Sequence, residues 1–498
     1  MEVHMVVTPG CVAINPWLTQ LEPHLRLCRK KRVARPFETA TGEVKTIIQK
    51  TVQKEPLFLT GGTEDPCGYV YPGLLEFTRE HLEEMGHTVS ITDTRPSPPQ
   101  GDYSLLTKPL RPGQPDILRV MCAEHNGVIK AAAGLGKTET IVQYLNICPS
   151  LRVGIVTFKG EVRNSIYARI RDGAPARTPC MLAAGCKFFD TDVYVLVDKS
   201  LHRLPPEAID VLLIDEVHGA AAEQALPKLE TFLEKRIFGF SATPSGRSDK
   251  ADLGVTALCG PVRVNLSYGF AEATGSVVPI HVFMYRSDGP TGLSSIGSDF
   301  IREKLGIWYN RPRNRLISQL ARALEPKQQK LILCRSLEHV MLLRRLMPEA
   351  VCVFKKPAAG RRQELEDKAL LPEGWSESPL FRTDVTNARV EFEERELSFV
   401  ICTPVWGEGV DFPHLRWVIR ADGLTNKIAC IQTGSRTSRA IREPGCEEDE
   451  KPWAAVIDFF DDFDGMRHRS FLRRSHYEDE GWTFRFVKPD GSFTHSFD

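Results

Sequence analysis

The chain is short of several things, and each shortage excludes a class of protein. No stretch approaches the ~18 consecutive apolar residues of a membrane span, and the opening MEVHMVVTPG lacks the basic start and apolar core of a secretory signal. The expectation is a protein with no membrane association, placed in a cytoplasm. Thirteen cysteines are an odd number, they are scattered, and no CxxC pair occurs, with Cys180 and Cys186 as the one close couple. That usage fits reduced, buried small hydrophobes better than a disulfide framework or a zinc site. There is no excess of charge of one sign. Lys plus Arg and Asp plus Glu both number 64, so any attraction for a polyanion must come from local fields. Fixed-period repeats and long low-complexity tracts are missing too.

What is present is enough for two or three globular domains: 498 residues, 42% hydrophobic and 26% charged. Basic clusters stand at Arg26, Arg29, Lys30, Lys31, Arg32 and Arg35, and at Arg467, Arg469, Arg473 and Arg474. Each is readable as a solvated helix face. Pro and Gly punctuate the chain at RPSPPQGDYS (95–104), an expected extended linker, and at SDGPTGLSSIGSD (287–299), flexible by composition. REPGCEEDEKP (442–452) reads as an acidic surface loop.

Between these cuts, short apolar runs alternate with helical patterns. GVIKAA, RVGIVTF, DVYVLV, DVLLID and RIFGFSAT come first; KLILC, AVCVF, LSFVICT, LRWVIRA and WAAVIDF repeat the rhythm. This is the pattern of parallel sheets covered by helices, in which ligands sit beyond the carboxyl ends of the strands. The expected class is α/β, with two tandem parallel-sheet domains at 105–285 and 286–498. Residues 1–104 form a small α+β accessory domain, because PGLLEFTREHLEEMG has a helical apolar stripe stopped by Gly86 and HTVSITDT alternates like a strand.

The residues after the strands carry the chemistry. NGVIKAAAGLGKTET (126–140) is a strand, a glycine bend and the start of an amphipathic helix. Ala133, Gly134, Leu135, Gly136, Lys137, Thr138 and Glu139 form the expected cradle for a nucleotide. Glycines let backbone N–H groups face phosphate oxygens at a helix N-terminus, Lys137 neutralises the β and γ phosphates, and the Thr138 hydroxyl ligates magnesium. DVLLIDEVH supplies Asp215 for the metal shell and Glu216 for the attacking water, with His218 in the same loop to link the site to its neighbours. Gln432, Arg436 and Arg439 fall at i, i+4 and i+7 of a helix expected to begin near Asn426. One face would then present two guanidinium groups to a γ-phosphate.

Taken in order, AAAGLGKT, DEVH and SAT (Ser241, Ala242, Thr243) resemble motifs I, II and III of the superfamily 2 helicases and translocases. TPVWGEGVD, with Thr403, Gly409 and Asp411, resembles motif V, QTGSRTSR resembles motif VI, and LILCRS around Arg335 resembles motif IV. LRPGQPDIL, ALCGPV and VIDFFDDF are similar to segments of the UvsW and XPB-like branch, often seen in phage genomes. The resemblance spans about residues 108–480. Two departures stand out: Gly113 takes the place of an aromatic next to Gln114, and Ser435 takes the place of a motif VI glycine. The resemblance implies RecA-like domains and ATP and Mg2+ as cofactors, with Gln114, Gly409 and Asp411 near the nucleotide. It also implies a relay through Ser241 and Thr243 and nucleic-acid contacts by Arg335 and Thr403. The implied partner is nucleic acid, DNA favoured over RNA, and the implied form a monomer, in the bacterial host cytoplasm if phage-encoded. An accessory domain like that at 1–104 contacts DNA in similar helicases. An ATP-gated nucleic-acid clamp and a restriction or remodelling motor are the alternative functions.

Overall fold

The computed structural model describes residues 1–38, 44–60, 66–183, 185, 189–245, 251–326, 328–406, 412–438, 451–488 and 492–494, with side chains for all of these except 28–38 and 44–53. The chain divides into two compact units, Met1–Ser267 and Tyr268–Asp498. Among the described residues no helix is long and apolar enough to cross a membrane.

The first unit holds a seven-stranded sheet. Its order is Pro179–Leu182, Val193–Val197, Val153–Thr157, Val211–Asp215, Arg236–Ser241, Asn126–Ala131 and Val262–Leu266, and every neighbouring pair is parallel. The strands form where apolar runs of five or six residues are covered on both faces; Val211 through Ile214 are wholly buried. Parallel pairing aligns the strand ends, so Ala131, Asp215 and Ser241 finish at the same edge.

Residues before 95 build a five-stranded mixed sheet around Glu2–Val7, with the helix Leu75–Glu84 beside it. Thr78 and Leu82 on that helix are buried, and Gly86 follows at φ +82°. This layer shares one hydrophobic core with the larger sheet, since Val3, Met5, Leu74 and Leu82 cluster with Ile214, Val217 and Leu258. The 95–104 segment is therefore not a free linker: it lies within one compact unit, and the Asp102 N–H donates to the carbonyl of Ile147 at 2.8 Å.

The basic stretch from Arg26 is not a helix. It is the strand Arg26–Glu38, paired antiparallel over thirteen positions with Val44–Pro56 into a separate two-stranded ribbon. Val33, Thr46, Ile47, Ile48, Thr51 and Val52 favour extended backbone, which outweighs the charged residues' helical preference.

The second unit is built on a nine-stranded sheet ordered Phe381–Arg382, Val351–Val353, Phe399–Cys402, Lys330–Leu333, Trp417–Arg420, Ala454–Asp461, Ile280–Ser287, Thr483–Val487 and Phe493–Thr494, antiparallel only at the last pair. The tandem RecA-like α/β architecture with an extra N-terminal sheet is thus the one expected. The 287–299 segment departs from its composition, because Leu293 is buried in a small core with Ile307, Trp308 and Met466.

Candidate nucleotide site

Ala131 ends its strand buried, and the chain then bends through Gly134 at φ +85° and Gly136 at φ +77° into the helix Lys137–Ile147. Those backbone angles are open to glycine at little cost, which is why the bend reads as it does. A Cβ on Gly136 would lie 2.7 Å from Nε2 of Gln114. Lys137 Nζ donates to the carbonyl of Ala131 at 3.0 Å, drawing the ammonium across the bend. Thr138 is half-buried in the first helical turn, and Glu139 accepts from Gln143 Nε2 at 3.0 Å while facing Lys108 at 3.5 Å. Ala133 and Leu135 complete the bend, Leu135 with its side chain buried.

Gln114 is buried, and its amide braces the loop: Nε2 donates to the carbonyls of Leu135 and Gly136, both at 3.3 Å, and Oε1 accepts from the Arg111 N–H at 2.9 Å. The Gly113 departure also has a local reason. Gly113 sits at φ +84° as the N-cap of the helix Gln114–Ala123, a conformation that disfavours an aromatic residue.

The acidic strand end lies across one intervening strand. Asp215 is only 8% exposed. Burial, with the charge of Glu216 adding, pushes its carboxyl up to about 7 against the opposing pull of Lys137. Glu216 follows at φ +53°, ψ +54°, a left-handed conformation that costs a non-glycine residue about 1 kcal/mol or more and is typically retained at functional sites.

Its carboxylate is held from the neighbouring strand. Ser241 Oγ donates to Glu216 Oε2 at 3.2 Å, lies 3.1 Å from His218 Nδ1, and accepts the Thr243 N–H at 3.0 Å; His218 Nδ1 is 3.5 Å from Glu216 Oε2. Ser241 is fully buried, so this hydroxyl ties the DEVH loop to the SAT turn in a low-dielectric setting. One carboxylate, Asp215, with the Thr138 hydroxyl fits how magnesium is bound, through one or two carboxylates plus substrate oxygens rather than an all-protein cage. Among the described residues no cluster of three or more acidic, His or Cys ligands occurs.

In the second unit, Thr403 is half-buried just past the strand Phe399–Cys402, and its N–H donates to Val353 at 3.3 Å. Gly409, Asp411 and Arg439 lie outside the described residues, as does most of 442–452. Arg335 pairs with Glu303, which also meets Arg469 Nη2 at 3.3 Å. The helix bearing Gln432 begins as expected, with Asn426 Oδ1 accepting the Ala429 N–H at 3.1 Å.

That helix ends at Ser435, so the expected stripe leaves it before Arg436. Arg436 is its C-cap and is 8% exposed. At this end the hydroxyls of Ser435, Thr437 and Ser438 donate to the carbonyls of Ile431, Gly434 and Ser435 at 2.8, 2.7 and 2.7 Å, side-chain bonds that compete with helical continuation. Gln432 Nε2 is buried without a hydrogen-bond partner among the described residues.

The second basic cluster is a helix face with Arg467 exposed, as expected, and is corrected at Arg473. On the helix Arg467–Asp479, Arg473 is fully buried and pairs with Asp458 at 3.0 Å and Asp461 at 3.1 Å, while Arg313 reaches Asp461 at 2.8 Å. A carboxylate pair inside an apolar-looking strand, Ala454–Asp461, pays the electrostatic cost of these arginines.

Residues 107–246 match the family model described as Type III restriction enzyme, res subunit. No curated protein matches the sequence. Among solved structures, a fragment of an HsdR subunit of a type I restriction enzyme from Vibrio vulnificus YJ016 is similar with a TM-score of 0.51 at 16% identity, covering 77% of this chain and 68% of that one. T4 UvsW gives 0.38 at 14% identity over 98% and 99% of the two chains. S. cerevisiae Dbp5 bound to RNA and ADP BeF3 gives 0.46 at 14% over 76% and 90%. The HsdR likeness supports the fold, and the family match falls on the segment that holds the phosphate loop, the DEVH strand end and the SAT turn. Over residues 107–246 the chain is therefore similar to the res subunit family of Type III restriction enzymes, and its fold is similar to that of the HsdR fragment.

Proposed function

We propose that the protein hydrolyses ATP with magnesium to translocate on DNA, unwinding or branch-migrating duplex or branched substrates in replication, recombination or repair, as a monomer, in the cytoplasm of a bacterial host when phage-encoded. The observation that carries this reading is the buried link from Glu216 through Ser241 to Thr243. It connects the group suited to orient the attacking water with a turn at the end of the next strand, the position from which a change at the nucleotide can reach a nucleic-acid grip.

Lys137 and the loop N–H groups would hold the phosphates, with Gln114 keeping the loop in shape. Thr138 and Asp215 would hold magnesium, which when bound supplies positive charge to the phosphate oxygens. Glu216 accepts the proton of water. Gln432, Arg436 and Arg439 would take part in hydrolysis, arginine being suited because its fork stays charged and spans phosphate oxygens. Arginine supply of this kind is worth about 10³ to 10⁵ in rate among nucleotide hydrolases. Gly409 and Asp411 belong to the same half, and Arg335 and Thr403 to the strand grip.

The basic ribbon 26–56 is a natural accessory contact for DNA, with nine Lys and Arg against Glu38, Glu43 and Glu55 between residues 26 and 56. A second reading, a restriction motor that translocates without separating strands, is favoured by the family description of residues 107–246. Strand displacement measured beside footprinting separates the two. Displacement of a labelled strand supports the helicase, while ATP-driven movement without displacement supports the restriction motor.

A further inference from the structure

Two cysteines 26 residues apart in sequence meet in space. Cys122, near the end of the helix Gln114–Ala123, and Cys148, the C-cap of the helix Lys137–Ile147, have their sulfurs 4.0 Å apart. Cys148 is buried and Cys122 is half-buried. The pocket around Cys122 suits a thiolate. A Cβ on Gly101 would lie 2.9 Å from its sulfur, so the chain presses directly on it, and Tyr103 and Arg236 face it. Arg236 is fixed there by bonds to the carbonyls of Met121 and Glu124 and to the Tyr144 hydroxyl.

The Cys148 hydrogen bond, helped by the Arg236 charge and the Gly101 N–H, draws the Cys122 thiol down to about 7 despite burial. The same hydrogen bond, with burial, pushes the partner thiol of Cys148 up, and burial pushes up Cys259, Cys352 and Cys402. Reactivity follows the thiolate, so Cys122 stands apart.

We propose that Cys122 and Cys148 form a site of reversible two-electron oxidation by hydroperoxides, closing a disulfide between the far ends of the two helices that frame the phosphate loop. The Cys122 thiolate attacks a peroxide oxygen; an S–O bond forms, the O–O bond breaks, and hydroxide leaves to become water. The Cys148 sulfur then attacks the sulfenic sulfur, forming S–S as S–O breaks and a second water departs. The balance is two thiols and hydrogen peroxide to one disulfide and two waters. Closing from 4.0 Å to about 2.05 Å takes a shift of about 1 Å per sulfur. The resulting ring encloses the entire phosphate loop, Lys137 included.

The test is hydrogen peroxide titration of the full chain, followed by alkylation, digestion and mass spectrometry. The expected product is a peptide pair linked through Cys122 and Cys148, formed at a lower peroxide dose than modification of any other thiol and undone by dithiothreitol. Cys122→Ser and Cys148→Ser each remove it, and the Cys148→Ser protein accumulates a dimedone-reactive Cys122. The oxidised parent melts about 5 °C or more above the reduced one, with no such gain in either variant. Oxidation of other thiols while both remain alkylatable, or oxidation of Cys122 without the linked peptide, overturns the proposal. The readout needs no nucleotide, so it stands or falls separately from the motor function.

Discussion

Ser241→Ala removes one oxygen and disconnects three groups. The Glu216 carboxylate loses a hydroxyl donor at 3.2 Å, the Thr243 N–H loses its acceptor at 3.0 Å, and His218 Nδ1 loses a neighbour at 3.1 Å. All of this happens at a fully buried position, where water does not substitute. A hydrogen bond to a charged group contributes about 1.5–3 kcal/mol, and an orphaned buried N–H costs about 1–3 kcal/mol. The first term falls on the orientation of Glu216, whose left-handed backbone makes it dependent on such support. Converted at 1.36 kcal/mol per decade, it predicts a fall in kcat of about 10- to 100-fold with little change in KM for ATP. The second falls on folding and lowers the melting temperature by a few degrees. Steady-state ATPase kinetics with saturating nucleic acid, beside thermal unfolding, separate the two. A kcat within twofold of the parent, in a protein that melts normally, would refute the role given to this hydroxyl.

Glu216→Gln should retain ATP and hold nucleic acid more tightly while turnover stops, checked by filter binding with and without ATP; normal turnover removes Glu216 from the catalytic role. The pH dependence of folding follows from Asp215, whose pKa in the folded protein is held near 7, above the 3.8 of the free group. The folded state keeps a proton that the unfolded chain releases, so this stabilisation is full below about pH 4 and lost as pH rises through 7. Denaturant titrations in magnesium-free buffer should show that decline, and Asp215→Asn should flatten it. Replacing Arg29, Lys30, Lys31 and Arg32 with Gln should weaken DNA binding and reduce the slope of log affinity against log salt by up to about 0.9 per residue that touches a phosphate. An unchanged slope would place the ribbon away from DNA.

Much of the fold was legible because parallel strands buried on both faces leave unbroken apolar runs, and the phosphate bend because Gly134 and Gly136 must take positive φ. Sequence periodicity does not contain what register creates. Glu216 and Ser241 are 25 residues apart and meet because their strands pair in parallel; Cys122 and Cys148 meet because two helices lie side by side. Of the arginines on the last long helix, Arg473 looks solvated until Asp458 and Asp461, set in an apolar run, are placed beneath it. The helix after Asn426 looks longer than it is because periodicity ignores the hydroxyls of Ser435, Thr437 and Ser438, which cap its carbonyls. Gln114 reads as a nucleotide contact by resemblance, and its brace on the loop carbonyls of Leu135 and Gly136 is visible only in the structure.

The most direct test of a nucleic-acid-driven motor is ATP hydrolysis by the purified full chain, titrated with single-stranded, duplex, forked and four-way DNA and with RNA, with Lys137→Ala as the inactive control. The account predicts that hydrolysis rises at least tenfold with DNA, most with branched forms, and vanishes in the Lys137 variant. A rate that stays flat across every nucleic acid, or that survives the loss of Lys137, would contradict it.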